Sequence, residues 1–305
     1  MPDREPPIRF QEDVAPSLSL LIGMALDEDG ANRDITSALA IEPSVQARAV
    51  VRTRERCTVG GLQIVSMLAT RVQGVRVIES GVCDGGCVEA GSTLAALEGS
   101  LVSLLAIERV LLNLLGLACA TATLTRRFVD EIEGTQARVF DTRKTLPGLR
   151  MLQKYAVHCG GGGTHRLGLH DAVLLKDNHL AGLSASAIAA KVAAVAERAR
   201  RNSPFGQAPC FVCCEVDAME QLRALLALPA GVLDIVLLDN FSIEQLREAV
   251  SLRSACQPQV LLESSGGVRL ETVRAIAQTG VERISVGALT HSAGCADIGL
   301  DIDAI

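Results

Sequence analysis

The sequence predicts an α/β protein whose second half is a parallel sheet built from repeated strand–helix units. Three observations carry this. Six short apolar runs (ARVFD, AVLLK, CFVCCEV, LDIVLLD, QVLLES and RISVG) recur after residue 137. Helical patterns lie between them: SASAIAAKVAAVAERARRN, AMEQLRALLAL, SIEQLREAVSLRSA and RLETVRAIAQTG. Such alternation implies βα units around a parallel sheet, and their similar lengths favour a closed barrel over an open sheet. Finally, nearly every run ends in a polar or charged residue: Asp141 with Thr142, Arg143 and Lys144; Lys176; Glu215; Asp239; Glu263 to Gly267; Gly287. Parallel strands place these ends on one face, where barrel enzymes build their sites.

Residues 1–120 read differently. A helical segment, Leu18 to Asp27, precedes strand-like runs ARAVVRT and VRVIES and a Gly-rich turn region, SGVCDGGCVEAGSTL. The longest apolar run, Leu101 to Leu124, is interrupted by Glu108, Arg109 and Asn113. Two adjacent charges make it a poor membrane span, so a buried amphipathic helix is expected. The N-terminal MPDREPPIRF has no early apolar stretch of the kind a signal peptide carries.

The chain has 305 residues, 49% hydrophobic and 21% charged, enough for a substantial core. Aromatics make up 2%, with no Trp, which excludes a stacking platform for single-stranded nucleic acid. A net charge of −6 argues against a general polyanion binder. The ten cysteines, without a secretory signal, read as reduced thiols in a cytoplasmic protein. Cys83/Cys87 and Cys210/Cys213/Cys214 each lack a second Cys/His pair at zinc-site spacing, and a structural role is expected.

Charge is unevenly placed. Between Arg138 and His179 seven Lys/Arg face three acids, with four of the five His. A positive segment in a net-negative chain suggests a focused site for a small polyanion, a solvated basic face being the alternative. GGGGTHR at 160–166 adds backbone freedom beside His165 and Arg166. SSGG at 264–267 precedes a helix and VGALTHS at 286–292 follows the last strand, where barrels commonly cradle phosphate. Glu215 and Asp239, from neighbouring strands, are candidates to hold Mg²⁺ on a diphosphate. Ion pairs with Arg143 or Lys176 are the other reading of these carboxylates.

The block DTRKTLPGLRMLQKYAVHCGGGGTHRLGLHDAVLLKDNH resembles the signature of quinolinate phosphoribosyltransferases. MALDEDGANRDITSALA, IERVLLNLL, CEVDAMEQL, DIVLLDN, SSGGVRLETVRAIAQTGVERISVGALTHS and DIGLDI extend the resemblance along nearly the whole chain. It implies an N-terminal α/β sandwich domain (1–120, joined by 292–305) and an incomplete, seven-stranded, TIM-like α/β barrel (121–291). It implies a head-to-tail homodimer, with hexamers in some members, and the Mg²⁺-dependent joining of quinolinate to phosphoribosyl pyrophosphate with loss of CO₂. By motif match, Arg143, Lys144, His165, Arg166 and Lys176 bind quinolinate, with Arg109 reaching in from the partner. Glu215, Asp239, Ser265, Gly266, Gly267, Gly287 and His291 match the phosphoribosyl pyrophosphate set. Lys144, Lys176, Glu215 and Asp239 are the catalytic candidates, and Glu215 and Asp239 the metal ligands, directly or through substrate and water. No nucleic acid or membrane is implied.

Departures from the family pattern are Thr164 before His165–Arg166, Leu146 before Pro147, Ser264 before the Gly pair, and LLGLACATAT. None removes a charge. Three alternatives share parts of the pattern. A related molybdenum-locus protein is expected to lack Asp141 and the full LPGLR. A non-catalytic quinolinate sensor would tolerate loss of Lys144, Glu215 or Asp239. Another phosphate-handling barrel would not need the cations at 143–176.

Overall fold

In a computed structural model, residues 5–6, 8–79, 81–201 and 206–304 are described. Half of MPDREPPIRF, the final residue of VRVIES and the final residue of the first barrel helix pattern lie outside them. The chain forms two compact units, 8–126 with 145–161 and 289–305, and 127–144 with 162–288.

The first unit is organised around a four-stranded sheet of β1 (Gln46–Thr53), β3 (Arg76–Glu79), β5 (Thr93–Ser100) and β12 (Ile298–Ala304), in the order β12-β1-β5-β3. β1 pairs antiparallel with both β5 and β12, so the end of the chain completes the sheet begun near its start. Gly116 permits that return. A Cβ there would lie 2.6 Å from Cys295 Sγ and 2.9 Å from the Ala296 carbonyl, whereas the bare backbone accepts the Ala296 N–H at 2.9 Å.

Helix α1 (Ala15–Asp29) ends in Gly30 at φ 69°, a left-handed cap that also satisfies the last carbonyls. The expected helix at 18–27 extends three residues further at its start and two at its end. Short α2 (Ile35–Ala40) is started by Asp34, whose carboxylate accepts the Thr36 and Ser37 N–H groups. Helix α3 (Gln63–Ala69) follows the two-residue strand β2 (Cys57–Thr58), which pairs with β4 (Cys87–Val88) inside the Gly-rich turn region.

The long apolar run is helix α4 (Leu101–Glu131). By length and composition it is apolar enough to cross a membrane, and half of its most apolar window is buried. Leu104, Ile107, Leu111, Leu115 and Ala118 enter the core beside Leu18, Ile22, Leu94 and Leu97. Arg109 and Asn113, four residues apart, are exposed, as a one-sided helix requires. Helix α5 (Arg150–Cys159) lies in the signature block and completes this core through Leu152 and Ala156.

The second unit holds six parallel strands: β6 (Arg138–Phe140), β7 (Val173–Leu175), β8 (Val212–Val216), β9 (Ile235–Asp239), β10 (Leu261–Ser265) and β11 (Arg283–Ser285). All six expected runs are strands. They are almost wholly buried, as sheets covered on both faces are. The short α6 (Asp177–Leu180) follows β7, and helices α7 (Ala185–Arg201), α8 (Met219–Leu226), α9 (Ile243–Cys256) and α10 (Leu270–Ala277) alternate with the strands. Ser242 caps α9, accepting the Gln245 N–H while the Gln245 side chain accepts that of Ser242.

The sheet order is β6-β11-β10-β9-β8-β7, and among the described residues it does not close. The repeat rhythm favoured closure, because helical lengths alone do not register a gap. Where a seventh strand is expected there is one parallel bridge, Phe140 with Gly163. Gly163 donates to the Val139 carbonyl at 2.7 Å and accepts from Asp141 at 3.1 Å. A Cβ at Gly163 would sit 2.5 Å from the Phe140 ring. The glycine run therefore allows a bare backbone to lie against β6, and it is too short to continue as a strand. The barrel is incomplete, with its opening between this bridge and β7.

Candidate active site

Strand alternation sorts the second unit into inward-facing layers. Ala172, Leu174, Phe211, Cys213, Ile235 and Leu237 pack into one cluster. Two residues further along the same strands stand Lys176, Glu215 and Asp239. On β10 and β11 the same step leads from Glu263 to Ser265 and from Ser285 to Gly287. The sequence-predicted residues are therefore the outermost inward positions of successive strands, which is why one pattern repeats along the chain.

Beneath this rim lies a charged layer that sequence reasoning placed at the strand end. Glu263 is fully buried in mid-strand. Its Oε2 accepts from Arg283 Nε at 2.7 Å, Ser285 donates its hydroxyl to Oε1, and His165 Nε2 lies 3.3 Å from Oε1. Burial alone pushes this carboxyl up, but His165 and Arg283 outweigh it and hold it far below the usual carboxylate range. Arg283 also stacks 3.5 Å over the Phe140 ring, and the His165 ring meets Phe211 edge-on at 5.2 Å. Glu263, followed by two serines, and Arg283, preceded by Glu282, carry no local signal of this pairing.

His165 accordingly stands in this inner layer, 5% exposed. Its Nδ1 accepts the Arg166 backbone N–H at 2.7 Å, and its own backbone N–H donates to Asp141 Oδ1 at 2.9 Å. Asp141, the buried acid of DTRKT, thus fixes the His165–Arg166 segment. Asp171, not singled out from sequence, accepts the Leu167 and Gly168 N–H groups at 2.7 and 2.9 Å and fastens the other side of that segment.

The rim is under-neutralised. Arg166 is 6% exposed, and its guanidinium is pushed down first by burial and next by the charge of Arg143. Arg143 carries a buried Nε with no hydrogen-bond partner among the described residues. Two arginines that repel each other, one with an idle buried donor, have the chemistry to receive an anion. Lys144 follows, exposed. Lys176 Nζ and Glu215 Oε2 are 2.9 Å apart, so the ion-pair reading of Glu215 holds in this state; the lysine side chain remains 44% exposed.

Glu215 and Asp239 line one cleft with Asp177, Asp217 and Gln221. Hard oxygen donors of this kind suit Mg²⁺. No group of three His, Cys, Asp or Glu poised for a metal occurs among the described residues. The donor set therefore fits an ion shared with a phosphate ligand, with one or two carboxylates contributed by the protein. Asp239 Oδ2 accepts from Asn240 Nδ2 at 2.8 Å, and the Asn240 N–H donates to the Ser265 carbonyl at 2.9 Å. Gly266, at φ 97°, has no room for a Cβ, which would lie 2.1 Å from Asn240 Oδ1. The turn after β10 is thus locked against the end of β9, with Gly267 exposed beside it.

Two predicted residues belong to the other compact unit. Arg109 projects from the exposed face of α4. His291 ends the short α11 (Ala288–His291), exposed, with Nδ1 2.7 Å from Ser292 Oγ.

Comparison with known proteins agrees with this architecture. Residues 34–119 match the model of the quinolinate phosphoribosyl transferase N-terminal domain, and residues 121–301 that of the C-terminal domain. The chain is 42% identical over 272 residues to the nicotinate-nucleotide pyrophosphorylase [carboxylating] of Mycobacterium leprae, covering 88% of this chain and 91% of that one. The structure of the nicotinate-nucleotide pyrophosphorylase from Francisella tularensis superposes with a TM-score of 0.82 at 34% identity, covering 94% and 96% of the two chains. The corresponding Ehrlichia chaffeensis structure gives 0.81 at 37% identity, covering 93% and 98%. The chain belongs to the quinolinate phosphoribosyltransferase family.

Proposed function

We propose that the protein transfers the phosphoribosyl group of phosphoribosyl pyrophosphate to quinolinate with decarboxylation, yielding nicotinate mononucleotide, pyrophosphate and CO₂ for NAD biosynthesis. The observation that carries this reading is the Arg143–Arg166 pair, whose mutual repulsion and idle donor call for an anionic ligand. Quinolinate, with two adjacent carboxylates, supplies two negative charges on a planar frame suited to arginine forks.

The roles divide along the rim. Arg143, Lys144, Arg166 and Lys176 bind and orient quinolinate, with His165 behind them. Ser265, Gly266, Gly267 and Gly287 receive the phosphates of the second substrate, a set to which the family pattern adds His291. As the C1–O bond to pyrophosphate breaks, its electron pair leaves with pyrophosphate and positive charge grows on the ribose. Glu215 and Asp239 stabilise that charge. The ring nitrogen lone pair then bonds to C1. The quaternised ring draws electrons from the bond to the neighbouring carboxylate, CO₂ departs, and that ring carbon takes a proton. Mg²⁺, held by Glu215 and Asp239 directly or through water, would neutralise the diphosphate. Positioning and electrostatics perform this chemistry without a covalent enzyme intermediate.

Arg109 lies on an exposed helix face, which supports its service to a second copy in a head-to-tail dimer. α1 and α2 turn Leu20 and Met24, and Ile35 and Leu39, outward, the apolar surface such contact would cover. All ten cysteines are free thiols, which supports a reducing, cytoplasmic setting. The test is an endpoint assay with Mg²⁺, phosphoribosyl pyrophosphate and quinolinate, read by chromatography, with nicotinate as a parallel substrate. Nicotinate mononucleotide forms from quinolinate alone. Its absence, in folded protein that still binds quinolinate, would turn the reading to a sensor.

A further inference from the structure

We propose that Gln153 is a positioning residue for this reaction, setting the turn that carries His291 through the donor half of its amide and the segment after Lys144 through the acceptor half. The proposal rests on the functional reading above, which assigns His291 to phosphoribosyl pyrophosphate and Lys144 to quinolinate. Gln153 lies on α5 and is fully buried. Its Oε1 accepts the Leu146 N–H at 2.9 Å, and its Nε2 donates to the Thr290 carbonyl. Leu146 stands two residues after Lys144, and Thr290 immediately precedes His291.

Both tethered segments are too short to fix themselves. α11 has four residues; Leu289 and Thr290 are buried while His291 is exposed. The Thr290 anchor therefore sets where the imidazole starts. The Leu146–Leu149 turn closes with a 3.2 Å hydrogen bond, and Leu149 accepts the Gln153 N–H at 2.9 Å, so this turn is fastened to α5 by backbone and side chain together. A primary amide is the neutral group that donates at one atom and accepts at the other. A carboxylate of the same shape keeps the acceptor for Leu146 and loses the donor for Thr290. A thioether loses both. The two halves of the tether can thus be cut separately.

The experiment is steady-state kinetics of wild type, Gln153→Glu and Gln153→Met with each substrate varied, beside thermal unfolding of each. Gln153→Glu raises KM for phosphoribosyl pyrophosphate about tenfold and leaves KM for quinolinate within about twofold, a tenfold change being the weight of one modest hydrogen bond. Gln153→Met raises both. The variant-to-wild-type ratio for Gln153→Glu falls as pH is lowered, because a protonated carboxyl regains a donor for Thr290. A purely structural residue would lower the melting temperature and leave the two KM values and their pH response unchanged; that result overturns the proposal. If one variant does not fold, the other decides by its own pattern. A wild type that forms no product overturns the functional reading and this one with it, whereas an active wild type with an unchanged KM in Gln153→Glu overturns this one alone.

Discussion

Glu263 and Glu215 flank Leu237 in the register of neighbouring parallel strands, and they do opposite work. Glu263 has no exposure and is matched by Arg283, Ser285 and His165. Glu215 faces a cleft, held by a lysine that is itself nearly half exposed. The group around Glu263 pairs within itself and is closed to solvent. At the rim, Arg143 and Arg166 repel each other, and Arg143 Nε has no hydrogen-bond partner among the described residues. The difference teaches that a barrel carboxylate is scaffold where it is fully buried among several partners, and is available to a ligand where its single partner and the cleft beside it are open to solvent.

The largest way to break the comparison is Glu263→Gln. It strands Arg283 in the interior, and loss of one partner of a buried pair costs about 3–5 kcal/mol. Denaturant unfolding should show that loss, and an unchanged midpoint would mean the inner layer is not the scaffold described. Glu215→Gln should do the reverse. We expect kcat to fall about a hundredfold, the scale on which removing one preorganised electrostatic group acts, with little change in unfolding midpoint.

The smallest effect is a pH dependence. Glu263 titrates below its ordinary range in the folded chain. Its contribution is therefore complete above the unfolded value, about pH 4.3, and fades as pH falls toward the folded one. The stability difference between wild type and Glu263→Gln should stay constant through neutrality and narrow only in acid. Narrowing at neutral pH would show that Glu263 is not ionised in the fold.

Much of this was legible in the sequence, for definite reasons. β7, β8 and β9 are short apolar runs with a charged residue two steps past an inward apolar one, so period-two alternation placed Lys176, Glu215 and Asp239 at strand ends. The helices announced themselves by period and cap, as Ser242 and Gln245 do. Glu263 misled because its neighbours Ser264 and Ser265 make it look terminal; its partner Arg283 lies twenty residues away, and pairing at that separation has no local signature. Gln153 was hidden in the same way, since its two tethers join segments far apart in sequence. The gap in the barrel lies where a strand is replaced by the one-residue bridge at Gly163, and a Gly run does not say which.

The most direct test of the central claim is calorimetric titration of quinolinate and of phosphoribosyl pyrophosphate into wild type and Arg166→Ala. Removing one fork of the unbalanced pair should weaken quinolinate by about tenfold to a hundredfold, the range of a charge-assisted contact, and phosphoribosyl pyrophosphate far less. Equal losses for the two ligands would contradict the account, because the cationic rim would then not be the dicarboxylate site.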